Sequence, residues 1–209
     1  MAFLGLSYEE FCTIGTGLIL VSSSFLMGVI FGNQPYDYNV LFKTNSTTED
    51  FAASLNHYQQ IYNTNPKVFY VLMGVATLGF IGSMIRIYKP NPELQLFEYT
   101  SLGLFVFAIC IFITNIKTGV ECTISHQWGE VTENQGLAVL ASSNIIFLFF
   151  LGGTVVLQAG LWYTNWEYQK RLKAFFAEEA AERAAAVEKE ATAGQGKGKK
   201  AQKENKKQK

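Results

Sequence analysis

Histidine, cysteine and proline are all scarce in this 209-residue chain, and formal charge is missing from long parts of it. Two histidines, His57 and His126, are all there are, and no Cys-x-x-Cys, His-Glu-x-x-His or glycine-rich phosphate loop accompanies them. The nearest approach to a constellation is Cys122, His126, Glu130 and Glu133, which have ligand spacing on a helix but read more simply as a solvated loop with structural hydrogen bonds. We therefore expect no catalytic residue, no metal and no cofactor. Three cysteines are too few and too scattered for a disulfide framework, since Cys12 and Cys110 fall inside apolar runs and Cys122 stands apart. The four prolines, Pro35, Pro66, Pro90 and Pro92, all lie between the apolar runs, as required if those runs are helices that must keep their backbone hydrogen bonds in lipid. The first ten residues contain Glu9 and Glu10 but no base, so the first apolar run reads as a retained signal anchor rather than a cleaved signal peptide.

Four uncharged runs dominate what is present. They lie at about 11–32, 68–85, 99–116 and 137–163, and at roughly 1.5 Å per residue each approaches or exceeds a hydrocarbon core about 30 Å thick. The chain is accordingly expected to be an all-α polytopic membrane protein with a four-span domain over 1–166 and a tail over 167–209. Ser7 and Glu10 have the spacing of a capping box, which places a helix start near Tyr8. Connections of 33–67 and 117–136 fall on one side of the membrane, and the 86–98 connection and both termini on the other. Arg86, Lys89, Lys170, Arg171, Lys173 and Arg183 make the second side the more basic, so it is expected to be cytosolic and the two long loops luminal. Trp162, Tyr163 and Trp166 supply an aromatic belt where the last span leaves the bilayer.

The zero net charge conceals an uneven division. Twelve of the 17 bases follow Tyr163, whereas the part before it has five bases and ten acids. The tail is rich in Ala, Glu, Lys and Arg to about residue 191 and should be helical to there, with disorder expected from Gly194 onward. In the 33–67 loop, Phe51, Leu55, Tyr58 and Tyr62 share one helical face, predicting a short amphipathic helix against the membrane or the bundle, or an ordinary packed loop helix. Asn45, Ser46 and Thr47 form an N-glycosylation sequon, which matters only if this loop is luminal.

No Asp, Glu, Lys, Arg or His falls within the four runs, which weighs against a transporter. Instead they contain small and weakly polar residues: Ser24, Gly28 and Gly32 at i, i+4 steps, Gly79 and Ser83, and Ser142, Ser143, Asn144 and Gln158. Such groups permit close helix approach and hydrogen bonds across helices, so they are candidate positions for contact with a guest helix, packing among the chain's own helices being the alternative. Lys206 and Lys207, at the fourth and third positions from the end, resemble the dilysine signal for retrieval to the endoplasmic reticulum, within a tail whose lysine density also reads as a solvated basic extension.

Several longer strings narrow the reading further: Pro35-Tyr36-Asp37-Tyr38-Asn39, Lys89-Pro90-Asn91-Pro92-Glu93-Leu94-Gln95, Thr114-Asn115-Ile116-Lys117-Thr118-Gly119, Trp128 through Leu137, and Gly160-Leu161-Trp162-Tyr163. In sequence and order, from about Tyr8 to Phe176, the chain resembles the fungal endoplasmic-reticulum packaging chaperones for amino-acid permeases. The resemblance implies a resident four-span protein of the endoplasmic reticulum that shields newly inserted permease helices. It also implies a cytosolic tail that brings these clients to COPII coat components, with COPI contact through the dilysine. A nucleic-acid partner is not expected. Competing readings are a subunit of a membrane enzyme of lipid or glycan metabolism using the Cys122–Glu133 loop, and a small transporter subunit.

Overall fold

The computed structural model describes residues 8–88, 92 and 94–205, so Ser7 of the expected capping box and Lys206 and Lys207 lie outside it. All regular structure among these residues is helical: α1 (Tyr8–Phe31), α2 (Gln34–Leu41), α3 (Thr48–Tyr62), α4 (Pro66–Ile87), α5 (Gln95–Ile111), a π-turn (Phe112–Lys117), α6 (Thr118–Ser125) and α7 (Glu133–Asn205). Four helices are long and apolar enough to cross a membrane, over Glu10–Phe31, Pro66–Ile87, Gln95–Ser125 and Glu133–Arg183. The chain forms two compact units, Met1–Leu161 and Trp162–Lys209, and α7 contributes to both.

The first span ends at Phe31, close to the expected 32, and two other boundaries differ from the expectations. Pro35 starts α2, because a proline in the first turn lacks an N–H that would have no helical partner there. The third span continues past 117 to Ser125 through the π-turn, so the second long loop shrinks to 126–132. It ends at His126, whose left-handed backbone (φ 53°) lets its N–H bond to Cys122 O at 2.8 Å. Beyond 191, α7 runs on to Asn205, since extending an existing helix requires no new nucleation even where Gly194, Gly196 and Gly198 weaken it.

Helix α3 is set by its N-terminus. The Thr47 hydroxyl accepts from Asp50 N while the Asp50 carboxylate accepts from Thr47 N at 2.8 Å, a reciprocal capping box. Lys43 Nζ adds a bond at 2.6 Å to the same carboxylate, and this partner, with the backbone and hydroxyl of Thr47, lowers the Asp50 pKa to about 2. The expected apolar face holds over three of its four members: Phe51 and Leu55 pack against the core and Tyr58 is fully buried, whereas Tyr62 is half exposed.

The first unit is an antiparallel bundle with two distinguishable ends. At one end Arg86 of α4 and Glu98 of α5 form a buried ion pair, and Gln158 of α7 donates to Ser101 Oγ at 2.9 Å. At the other lie α2, α3 and α6, covering a core that joins Leu26, Tyr58, Phe105, Ile116, Leu140 and Phe147. The tightest crossing is α1 on α4. A Cβ on Gly79 would stand 2.5 Å from Ser22 Oγ and 2.6 Å from Phe105 Cζ, and one on Gly82 would stand 2.7 Å from Gly15 O. Ser22 Oγ donates to Val75 O at 2.6 Å across the same contact, so glycine here permits both close approach and an interhelical bond.

In the second unit, Arg171 pairs with Glu167 and Arg183 with Glu179 one helical turn away, and Lys170 Nζ lies 5.3 Å from the Trp166 ring centroid.

Gly79→Leu should overpack the α1–α4 crossing and cost about 1–3 kcal/mol. Gly74→Ala, where nothing lies within 4 Å of the added carbon, is the control. Thermal aggregation of the detergent-solubilised chain should move to lower temperature for the first substitution only.

Candidate functional site

The polar groups of the fourth span are largely spoken for within the chain. Asn144 is fully buried, and its Nδ2 donates to Asp37 Oδ2 at 2.9 Å and to the Tyr58 hydroxyl oxygen at 2.7 Å. The Tyr58 hydroxyl in turn donates to Asp37 Oδ1. One residue from each of α2, α3 and α7 thus meets in a buried cluster. Burial raises the Asp37 pKa and the bonds from Tyr58 and Asn144 oppose that shift; burial and the neighbouring carboxylate push the Tyr58 phenol up, so it remains a donor. Gln158 is buried on Ser101, Ser143 Oγ donates to Val139 O at 2.8 Å and accepts from Asn115 Nδ2 at 3.3 Å, and half-buried Ser142 donates to Ala138 O at 2.8 Å. The donor groups of these four positions, expected to face a client, bond inside the chain because an unpaired amide or hydroxyl in lipid is costly, while Asn144 Oδ1 and Gln158 Oε1 are buried without a partner.

The small-residue row of the first span is placed differently. Ser24, Gly28 and Gly32 are exposed, and the glycines that α1 and α4 use against one another are Gly15, Gly79 and Gly82. Gly32 opens onto a groove.

That groove is a concave feature of the first unit. It has a volume of about 760 Å³ and is walled by α1 (Val29, Ile30), α3 (His57, Ile61), α4 (Phe69) and the π-turn with α6 (Ile116). A second cavity of about 200 Å³ continues it toward the bilayer centre, and Val29, Ile30, Leu72 and Phe112 line both. The Phe69 and Phe112 rings stack at 6.4 Å between centroids where α4 and the π-turn approach. The walls are apolar in the span region and polar at the loop end, where Asn33, Asn65, Lys117 and Glu121 stand. A helix about 10 Å across with a 5.4 Å pitch fills roughly 420 Å³ per turn, so the larger cavity accommodates just under two turns. At its mouth His57 Nε2 lies 3.0 Å from Asn33 Oδ1 with the ring stacked on Tyr36 at 3.9 Å, and burial lowers its pKa, leaving it neutral near pH 7.

The 122–133 segment is a weaker candidate. His126 Nδ1 lies 2.7 Å from Glu133 Oε2, both exposed, but among the described residues no group of three or more His, Cys, Asp or Glu side chains is placed to hold a metal ion. Asn45 of the sequon is exposed in the turn before α3.

Sequence reasoning passed over Asp37, Tyr58 and the groove. A signal for the first two was present, since an Asn in the middle of a span needs a partner and Asp37 is the acid nearest the end of the first span. The groove depends on how α1, α3, α4 and the π-turn come together, which no single segment encodes.

Comparisons with known proteins agree with this architecture. The family model of the SHR3 chaperone, described as ER membrane protein SH3, matches residues 10–197. The secretory component protein psh3 of Schizosaccharomyces pombe is 25% identical over 142 residues, which cover 68% of this chain and 66% of that protein, slightly under two thirds of its length. No solved structure matches the chain. With four apolar spans and a family match over most of its length, the chain belongs to the SHR3 chaperone family of multi-pass membrane proteins of the endoplasmic reticulum.

Proposed function

We propose that this protein holds the spans of newly inserted amino-acid permeases in its apolar groove until they pack against their own neighbours, and that it then assists their entry into COPII vesicles. The observation that carries this reading is the groove itself: concave, apolar at span depth, and with a volume of about 760 Å³. The nitrogens of the chain's own span amides meanwhile donate internally, and neither amide lines the groove. Lipid tails are as apolar as leucine, so a guest helix gains mainly shape contact and a few hydrogen bonds, about 0.6–2 kcal/mol each. Such binding is weak enough to be reversed. The exposed Ser24–Gly28–Gly32 row, with Gly32 on the groove wall, offers a close-approach face beside it.

The basic excess on the side of Arg86 and the second unit favours a cytosolic tail, with α2, α3 and α6 in the lumen. On that reading the tail is the part available to COPII components, the terminal Lys206 and Lys207 to COPI for retrieval, and Asn45 to glycosylation. No step in this account requires catalysis.

Two outcomes check it. Ile113→Trp, which fills the smaller cavity, should reduce permease delivery to the cell surface several-fold, with aggregated permease retained in the endoplasmic reticulum. Val156→Trp, at an exposed site outside the groove, should leave delivery intact, and equal loss from both would refute the groove as the seat. For the topology, endoglycosidase digestion should convert a slower-migrating form of the chain to the mobility of Asn45→Gln; a chain whose mobility neither treatment changes argues against use of this site.

A further inference from the structure

Asn144 has no place on the groove, yet it is tied to the groove's wall. The groove is lined by Tyr58, His57, Ile61 and Tyr62 of α3, whereas Asn144 sits on α7 and reaches α3 only through the Tyr58 hydroxyl. Tyr58 is fully buried, so its ring has one seat, and its hydroxyl is shared by Asn144 and Asp37. Two further bonds hold the same helix: His57 to Asn33 at the end of α1, and Gln59 Nε2 to Thr123 O of α6 at 2.9 Å. These three successive residues, 57 to 59, tie α3 to Asn33, to α2, to α6 and, through Tyr58 and Asn144, to α7. Helix α3 is also held by its Thr47–Asp50 cap and by Phe51 and Leu55 against the core, but near its end Tyr62 is half exposed, and the Asp37–Tyr58–Asn144 cluster is its deepest polar tie.

We infer that the Asp37–Tyr58–Asn144 cluster is a positioning device for the guest site: it seats α3 as the loop-end wall of the groove, so that a client span is gripped near that end by α3. The inference rests on the groove being the client's seat. It makes Asn144 matter to clients without touching them, and it divides the groove into an end that depends on the cluster and an inner part, near Ile113, that does not.

The test uses the full-length chain in two arms. In the first, without client, amide hydrogen exchange is followed in the detergent-purified protein. Tyr58→Phe, which keeps the ring, and Asn144→Leu should each raise exchange across residues 48–62 at least several-fold while α4 and α5 stay protected; unchanged exchange in 48–62 overturns the inference. In the second, a photo-crosslinking residue replaces Ile61 or Ile113 in cells expressing a permease. With chain abundance equal, both cluster variants should lower capture at 61 several-fold relative to capture at 113. An unchanged ratio overturns the positioning role. Failure of the unaltered chain to capture permease from either position instead refutes the groove reading, and the exchange arm still decides whether the cluster seats α3.

Discussion

In a bilayer a polar side chain must find its partner within protein, and this constraint explains most of how the first unit is put together. Asn144 and Gln158 lie in the span with the longest apolar run, and each is bonded to another element: Asn144 to α2 and α3, Gln158 to α5. Arg86 and Glu98 are placed by the same requirement, the charge of each being tolerable at a span end because the other is beside it. Adding apolar contacts in lipid gives little directional preference, so these few polar ties do much to fix which helices are neighbours. The close α1–α4 crossing adds the steric part, through Gly15, Gly79 and Gly82.

Once those internal needs are met, what remains on the membrane-facing surface is apolar or small. Exposed Val21, Phe25, Phe107, Phe149 and Val156 are ordinary lipid-facing residues, and they account for much of the large apolar exposure of the bundle. The groove differs from them in shape rather than chemistry. A flat apolar surface is satisfied by lipid, whereas a concave one leaves room for a partner.

Much of this was legible in the sequence and some was not, for identifiable reasons. Uncharged length located all four spans, because lipid thickness imposes a requirement that composition alone reveals. The amphipathic row of α3 was visible because its period survives in the residues themselves. Where the third span ends was misjudged: Lys117 looked like a terminus, but its ammonium sits 3.6 Å from Glu121 one turn on, and the helix continues through both. Ser142, Ser143, Asn144 and Gln158 were recognisable as interhelical groups, but sequence cannot say whether the partner helix belongs to the same chain. Their partners are 28 to 107 residues away where they reach other elements, a separation that pattern reasoning does not cross.

The π-turn at Phe112–Lys117 has a consequence for what changes this span tolerates. A wider turn takes up one residue more than an α-helix would, so everything beyond it is rotated by about 100° relative to an uninterrupted helix. Within the turn Ile113 lines the cavity and Asn115 reaches Ser143, and beyond it the offset lets Gly119 meet Leu140. Losing a single codon between 112 and 117 would be accommodated by relaxing the wide turn into regular helix, leaving length and hydropathy almost untouched. Because the lost residue is the one the wide turn takes up, the far third would keep its present neighbours, whereas tightening the turn at full length would rotate that third away from them.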